Sequence, residues 1–377
     1  MKSYMEGSSG PPSRLPLVFL FVAIFTAAFA ALHMVIFLVI SRSIQDPTYL
    51  NILKSVLIIG LLAMPLGFSL TKFKYKPLSL ITWTGYIWMG IFSLLFFFSI
   101  LEIALNVFLD HNYSYWPVYF TALIAPIALF KGIKSPEINR YHIKDERLPD
   151  FSLIQISDVH VGMLHIRGDW LTKLVHRILL AEPDVVCITG DLVEASYDEI
   201  EADLNVFKLL SNIPHKFYIT GNHEYIHGGS IWERKLDSLG FNVLHNSNQI
   251  LSINGKKVLV GGVPDKMVSR FIKTKKSLPD LALKTSESVD YKILLAHQPS
   301  SIYDLHYEKC DLVLTGHTHG GQIFPFHLLV RLVQPVVSGF KTVKGVKVFA
   351  HQGTGFWGPP MRWYSKSEIA EFKFSKN

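Results

Sequence analysis

Apolar residues fall along this chain in two unlike regimes. Over 1–130 they form long, nearly unbroken runs near 16–40, 50–70, 79–101 and 115–130. A helix needs about 20 apolar residues to cross a bilayer, so the pattern predicts an α-helical membrane domain of about four spans. The first run is too long for the roughly 7–15 residues of a secretory signal core, and further spans follow it. Past 150 the apolar runs are short and alternate with segments of helical periodicity. Strands are predicted at 151–157, 184–189, 216–220, 241–245, 249–253, 257–262, 291–296, 311–315 and 346–350, and amphipathic helices at 170–180 and 200–210. Several late strands follow one another without a helix between them. The fold class is therefore α/β (α+β) with mixed sheets. The stretch 131–150, with Pro136 and Pro149, reads as a polar linker, leaving 151–377 as the globular domain.

Charge sharpens this division. The chain has 377 residues, 18% charged, but residues 1–130 hold only 7 Lys/Arg and 4 Asp/Glu. The net charge of +7 is shared between the two parts, and no basic block marks a nucleic-acid footprint. Cys187 and Cys310 both sit in apolar strand-like runs, which excludes a disulfide framework. Orientation follows from Lys and Arg in the short loops. Lys72, Lys74 and Lys76 follow the second span, none lie in 110–114, and Lys131, Lys134, Arg140, Lys144 and Arg147 follow the fourth. This multi-pass arrangement puts both termini and the globular domain in the cytoplasm. Glu102 and Asn106 are expected at the outer interface, and Trp83, Tyr86 and Trp88 as interfacial anchors.

The polar residues of the globular part fall in five clusters, each closing an apolar strand: Asp158-Val159-His160, Gly190-Asp191, Gly221-Asn222-His223-Glu224, His297 and Gly316-His317-Thr318-His319. In open α/β sheets, ligands bind at the carboxyl ends of strands. Singly, each cluster reads as a turn or helix cap. Together they supply two carboxylates, one amide oxygen and four imidazoles, with His223 left over. This donor set lacks cysteine and suits two divalent ions of zinc, manganese or iron. Of the histidines outside the clusters, His227 and His351 are held back as candidates.

In the order Asp-x-His, Gly-Asp, Gly-Asn-His-Glu, His, Gly-His-x-His, the chain resembles the calcineurin-like metallophosphoesterases over roughly 150–372. Pro183-Asp184, the run Ile-Leu-Leu-Ala-His-Gln-Pro over 293–299, Gly320-Gly321-Gln322 and Gly353-Thr354-Gly355 extend the likeness to the branch of membrane-associated bacterial phosphoesterases and transmembrane proteins carrying this domain. The resemblance implies a four-layer αββα sandwich of two mixed sheets. It implies Asp158, His160 and His319 on one metal, Asn222, His297 and His317 on a second, and Asp191 bridging them. His223 is then the catalytic general acid or a phosphate contact rather than a ligand. Glu224 is expected to orient a ligating imidazole and Arg362 to pair with a phosphate. Phe324, Phe326, Phe356, Trp357, Met361 and Trp363 are expected either to close the core or to form a lipid-facing rim.

The implied activity is hydrolysis of a phosphodiester or pyrophosphate bond, with a lipid-linked substrate at the bilayer of a bacterial inner membrane. A UDP-diacylglucosamine-like pyrophosphate is one such substrate. The alternatives are a phosphodiesterase acting on soluble nucleotides and a membrane receptor or scaffold with a ligand-binding metal domain.

Overall fold

The protein is described by a computed structural model over residues 15–70, 76–109 and 115–376. Four helices open it: α1 (Leu15–Ser41), α2 (Pro47–Leu70), α3 (Lys76–Leu109) and α4 (Trp116–Ile133). Among the described residues, Pro47–Leu70, Leu78–Phe108 and Trp116–Ile133 are long and apolar enough to cross a membrane. Lys72, Lys74 and the 110–114 loop, on which the expected orientation rests, lie outside the described residues.

Two six-stranded sheets follow. With β1 (Glu137–Lys144), β2 (Phe151–Ile156), β3 (Val185–Thr189), β4 (His215–Ile219), β5 (Asn242–Val243), β6 (Ser247–Ile253), β7 (Lys256–Gly262), β8 (Tyr291–Leu295), β9 (Leu312–Thr315), β10 (Gly339–Val343), β11 (Val346–Ala350) and β12 (Glu368–Ser375), one sheet runs β1-β12-β2-β3-β4-β5 and the other β10-β11-β9-β8-β7-β6. Strands β2, β3 and β4 are mutually parallel, as are β7, β8 and β9. Alternate residues explain the layering. Leu153, Val185, Cys187 and Phe217 face Val260, Ile293, Leu312 and Phe349 between the sheets. Ile154, Val186, Ile188 and Tyr218 turn outward under Leu171, Leu174, Val175 and Ile178 of the helix Gly168–Leu180. A third cluster around Leu259, Leu294 and Val313 covers the far face. Helices flank two mixed sheets, as expected.

Residues 131–150 are not a linker. Residues 137–144 form edge strand β1, parallel to β12, with Arg140 paired to Glu371 at 2.8 Å. Only Ile143 of its residues is buried, so the strand owes its existence to a partner more than 200 positions away and shows little hydrophobic alternation of its own.

The membrane helices pack directly on the globular domain. At 34 residues, α3 is about 51 Å long, well beyond the roughly 30 Å of a bilayer core. Its flank holds Trp83 stacked on His165, Tyr86 within the domain's own core, and Phe97 edge-on to Phe324. Leu94, Phe98, Ala125 and Ala128 form one cluster with Ile323 and Met361, and the Arg362 amide donates to the Ala128 carbonyl at 2.8 Å. A side chain at Gly132 would collide with the Pro360 carbonyl, so this seam needs glycine. Trp83 and Tyr86 are thus packed in protein rather than serving as interfacial anchors, and Trp88 donates to His33 at 3.2 Å. Glu102 is also buried in protein, accepting from Asn106 and Trp116.

Candidate metal centre

Parallel strands deliver their carboxyl ends to one edge of the sandwich, and the five polar clusters meet there. Asp158 and His160 follow β2, Asp191 follows β3, Asn222 and His223 follow β4, His297 follows β8, and His317 and His319 follow β9. The loops continue the strand ladder: the His160 amide donates to Asp191 O at 3.1 Å, Val161 to Leu192 O at 2.8 Å, and Glu194 back to Val161 O at 2.9 Å. The His297 ring then crosses from the second sheet, donating Nδ1–H to the Thr189 carbonyl at 2.8 Å.

Three groups of possible donors result: Asp158, His160 and His319 form a first, Asp191, His297 and His317 a second, and His160, Glu194 and His223 a third that shares His160 with the first. In the first, Nε2 of His160 and of His319 are 3.2 Å apart, and His319 Nε2 is 3.4 Å from Asp158 Oδ1. In the second, His297 Nε2 lies 3.0 Å from Asp191 Oδ2. Donors each about 2.1 Å from a shared ion lie about 3.0–3.4 Å apart, so these separations fit metal ligands. Asn222 Oδ1 is also buried without a hydrogen-bond partner among the described residues, a costly state for a polar atom unless a cation takes it up. The residues fit a divalent metal.

Backbone strain is concentrated at the same place. Asp158 (φ 54°), His160 (54°), Asp191 (49°), His317 (68°) and His319 (48°) all occupy the left-handed region, at about 1–2 kcal/mol each for residues with a Cβ. Such strain persists where the surroundings over-determine it. Gly190 (φ 88°) shows why this edge is so tight: a Cβ there would stand 2.5 Å from Gly221 N and 2.7 Å from His297 Nδ1.

Electrostatics prepare the donors for a cation. Burial opposes ionisation of Asp191, but His297 and His223 outweigh it and hold the carboxyl well below the usual range. Burial, reinforced by His160 and Arg362, drives His319 well below its ordinary value, leaving a neutral imidazole. Burial also opposes charge on His223, yet Glu194 and Asp191 push it up to about 9.

The clustering of the seven expected ligands and His223 at one edge leaves two neighbours differently placed. Glu224 touches no imidazole. Its buried carboxylate accepts the backbone N–H groups of Leu192 at 2.7 Å, Asp191 at 3.0 Å and Gly221 at 2.5 Å, so it pins the backbone that presents Asp191. Arg362 is fully buried and far from free for a phosphate. It donates to the carbonyls of His319, Gln352, Lys366, Gly353 and Gly355 and to Ser365 Oγ. The carboxylate that meets imidazoles here is Glu194, which lies outside the five clusters. Glu194 Oε2 accepts from His160 Nδ1 at 2.7 Å and lies 2.6 Å from His223 Nδ1, with His227 at 3.8 Å. Its only sequence signal is its place three residues after Asp191. His351 is buried, its Nδ1 accepting the Gly353 amide. The aromatic cluster divides: Phe356 and Met361 are core, whereas Trp357 is half exposed, 5.9 Å ring to ring from His223.

Comparison with known proteins agrees with this geometry. Residues 151–321 match the family model described as calcineurin-like phosphoesterase. A metallophosphoesterase of Helicobacter pylori is 36% identical over 246 residues, 64% of each chain, so this chain spans a little under two thirds of that relative. A protein of Danio rerio named transmembrane protein with metallophosphoesterase domain is 30% identical over 265 residues, 66% of this chain and 60% of that one. A metallophosphoesterase of Aquifex aeolicus is 31% identical over 238 residues, covering 62% of this chain and 89% of the relative. Strand-end donors, paired donor groups and extended similarity place the chain in the calcineurin-like metallophosphoesterase family.

Proposed function

We propose that the protein is a membrane-anchored phosphoesterase that binds two divalent ions of zinc, manganese or iron and hydrolyses a phosphodiester or pyrophosphate bond in a lipid-linked substrate. The observation that carries this reading is the pairing of two donor groups, Asp158/His160/His319 and Asp191/His297/His317, with His223 beside them; we assign His223 to proton transfer rather than to ligation. Asn222 would complete the second group through its unpartnered Oδ1. Asp191, whose charge also acts on Asp158, would bridge the two.

Bound divalent ions supply Lewis acidity to phosphoryl oxygens and lower the pKa of water near neutrality. The chain's residues do the rest. His223 is held by Glu194 on its Nδ1 side, and its Nε2 lies 4.0 Å from Asp191 Oδ2. From there it can donate a proton to a departing oxygen, help worth about 10²–10⁴-fold. We place the domain on the cytoplasmic side of a bacterial inner membrane: the apolar helices support membrane attachment, and the cations after α4 support the orientation.

Full-length protein should hydrolyse a chromogenic phosphodiester when supplied with divalent metal, and Asp191→Asn should abolish turnover. Stable metal binding with no turnover on diesters or pyrophosphates would instead favour a receptor or scaffold.

A further inference from the structure

Beside His223 and Glu194 opens a cavity of about 700 Å³, and part of its wall comes from the membrane helices: Phe68 near the end of α2 and Tyr86 of α3. The two rings meet at 4.9 Å. Ile226 and Trp357 continue the apolar lining from the globular side, and Phe68, Ile226 and Trp357 are 43–53% exposed. A cavity of this size accepts an organic ligand, and a small phosphoester held at the strand-end donors would leave Ile226 and Trp357 uncovered. The wall is fixed relative to the metal-binding residues, because α3 is fastened to the domain on both sides of Tyr86 through Trp83–His165 and the Gly90–Met361 contact.

A second feature marks the same flank as lipid-facing. The helix Phe326–Val333 begins two residues after Phe324, which packs on Phe97 of α3. It leaves Leu332 80% and Val333 72% exposed, with Leu328 and Leu329 also open. An apolar face of this kind beside membrane helices suits burial at the headgroup–acyl boundary.

We propose that the cavity is a hydrocarbon subsite of the catalytic centre: Phe68 and Tyr86 take the chain of an amphiphilic phosphoester whose phosphate lies at the strand-end donors. The membrane helices are then part of the substrate site as well as an anchor. This rests on the phosphoesterase reading above.

The test uses full-length protein in lipid nanodiscs and p-nitrophenyl alkyl phosphodiesters with chains of roughly 2–12 carbons. Each buried methylene is worth up to about fourfold in kcat/KM, so the wild type should gain steadily with chain length. Phe68→Ala should cut the gain between the short and long ends of the series by at least about tenfold, and Phe68→Leu should restore most of it. A wild type that gains with length and a Phe68→Ala variant with the same slope would overturn the subsite alone. A wild type indifferent to chain length would overturn both the subsite and the lipid-linked substrate, and absence of turnover on the whole series would overturn the phosphoesterase reading itself.

Discussion

Nδ1 of His160 is hydrogen-bonded to Glu194 at 2.7 Å. The bond puts the ring proton on Nδ1 and leaves Nε2, which faces His319, as the free donor. Outer carboxylates of this kind orient a ligating imidazole and raise its basicity. Glu194→Gln should therefore weaken metal binding by about 10–100-fold while leaving the fold intact. Isothermal titration of the metal-free protein checks this; unchanged affinity would remove Glu194 from the centre.

Arg362 tests whether a charged residue beside a phosphate site must touch phosphate. It is 0% exposed and donates to five carbonyls and one hydroxyl. Arg362→Ala should cost about 3–5 kcal/mol by leaving those acceptors unpaired. The expected result is a large fall in Tm. A stable variant whose only defect is a raised KM would restore the phosphate-binding role.

Adjacent aromatics should behave differently. Phe356 is 1% exposed and Trp357 49%. Phe356→Ala should destabilise the domain by about 3–5 kcal/mol. Trp357→Ala should cost less than about 1 kcal/mol but raise KM, since the ring stands beside His223. Thermal denaturation and steady-state kinetics on both variants separate core from cavity wall.

Asp280 gives a pH test away from the centre. Burial opposes its charge, but the amides of Glu308, Tyr307 and His306 outweigh that and hold its carboxyl below the usual range. A depressed folded pKa contributes stability above the unfolded value of about 3.9, and that stability is lost as pH falls through the folded value. Asp280→Asn should lower Tm near neutral pH by a few degrees, about 1 kcal/mol corresponding to about 2–4 °C. The gap should close as pH falls below about 4. A gap independent of pH would mean that the carboxylate charge plays no part.

Those parts of the molecule were legible that are written in contiguous residues. The strands from β2 to β9, together with β11, each carry their own apolar run, and the ligand candidates stand directly at strand ends. What escaped is defined by its partners rather than by an apolar run of its own. Edge strand β1 exists because 368–375 lies beside it, β10 is a largely exposed strand paired to β11, and Glu194 meets His160 only because the loops after β2 and β3 run in parallel. Glu224 stands beside the donors, but its part cannot be read from spacing, since its partners are backbone amides. Arg362 misleads for a similar reason: in sequence it borders an aromatic cluster that resembles a headgroup site, whereas the fold turns it inward.

Metal content and turnover measured together on Asp191→Ala and His223→Ala test the central claim most directly, because one residue is assigned to bridge two ions and the other to act without ligating. Elemental analysis should find about two ions per chain in the native protein. Asp191→Ala should lose both, whereas His223→Ala should keep both while losing about 10²–10⁴-fold in turnover. An Asp191→Ala variant that retains both ions, or a metal-depleted His223→Ala variant, would contradict the account.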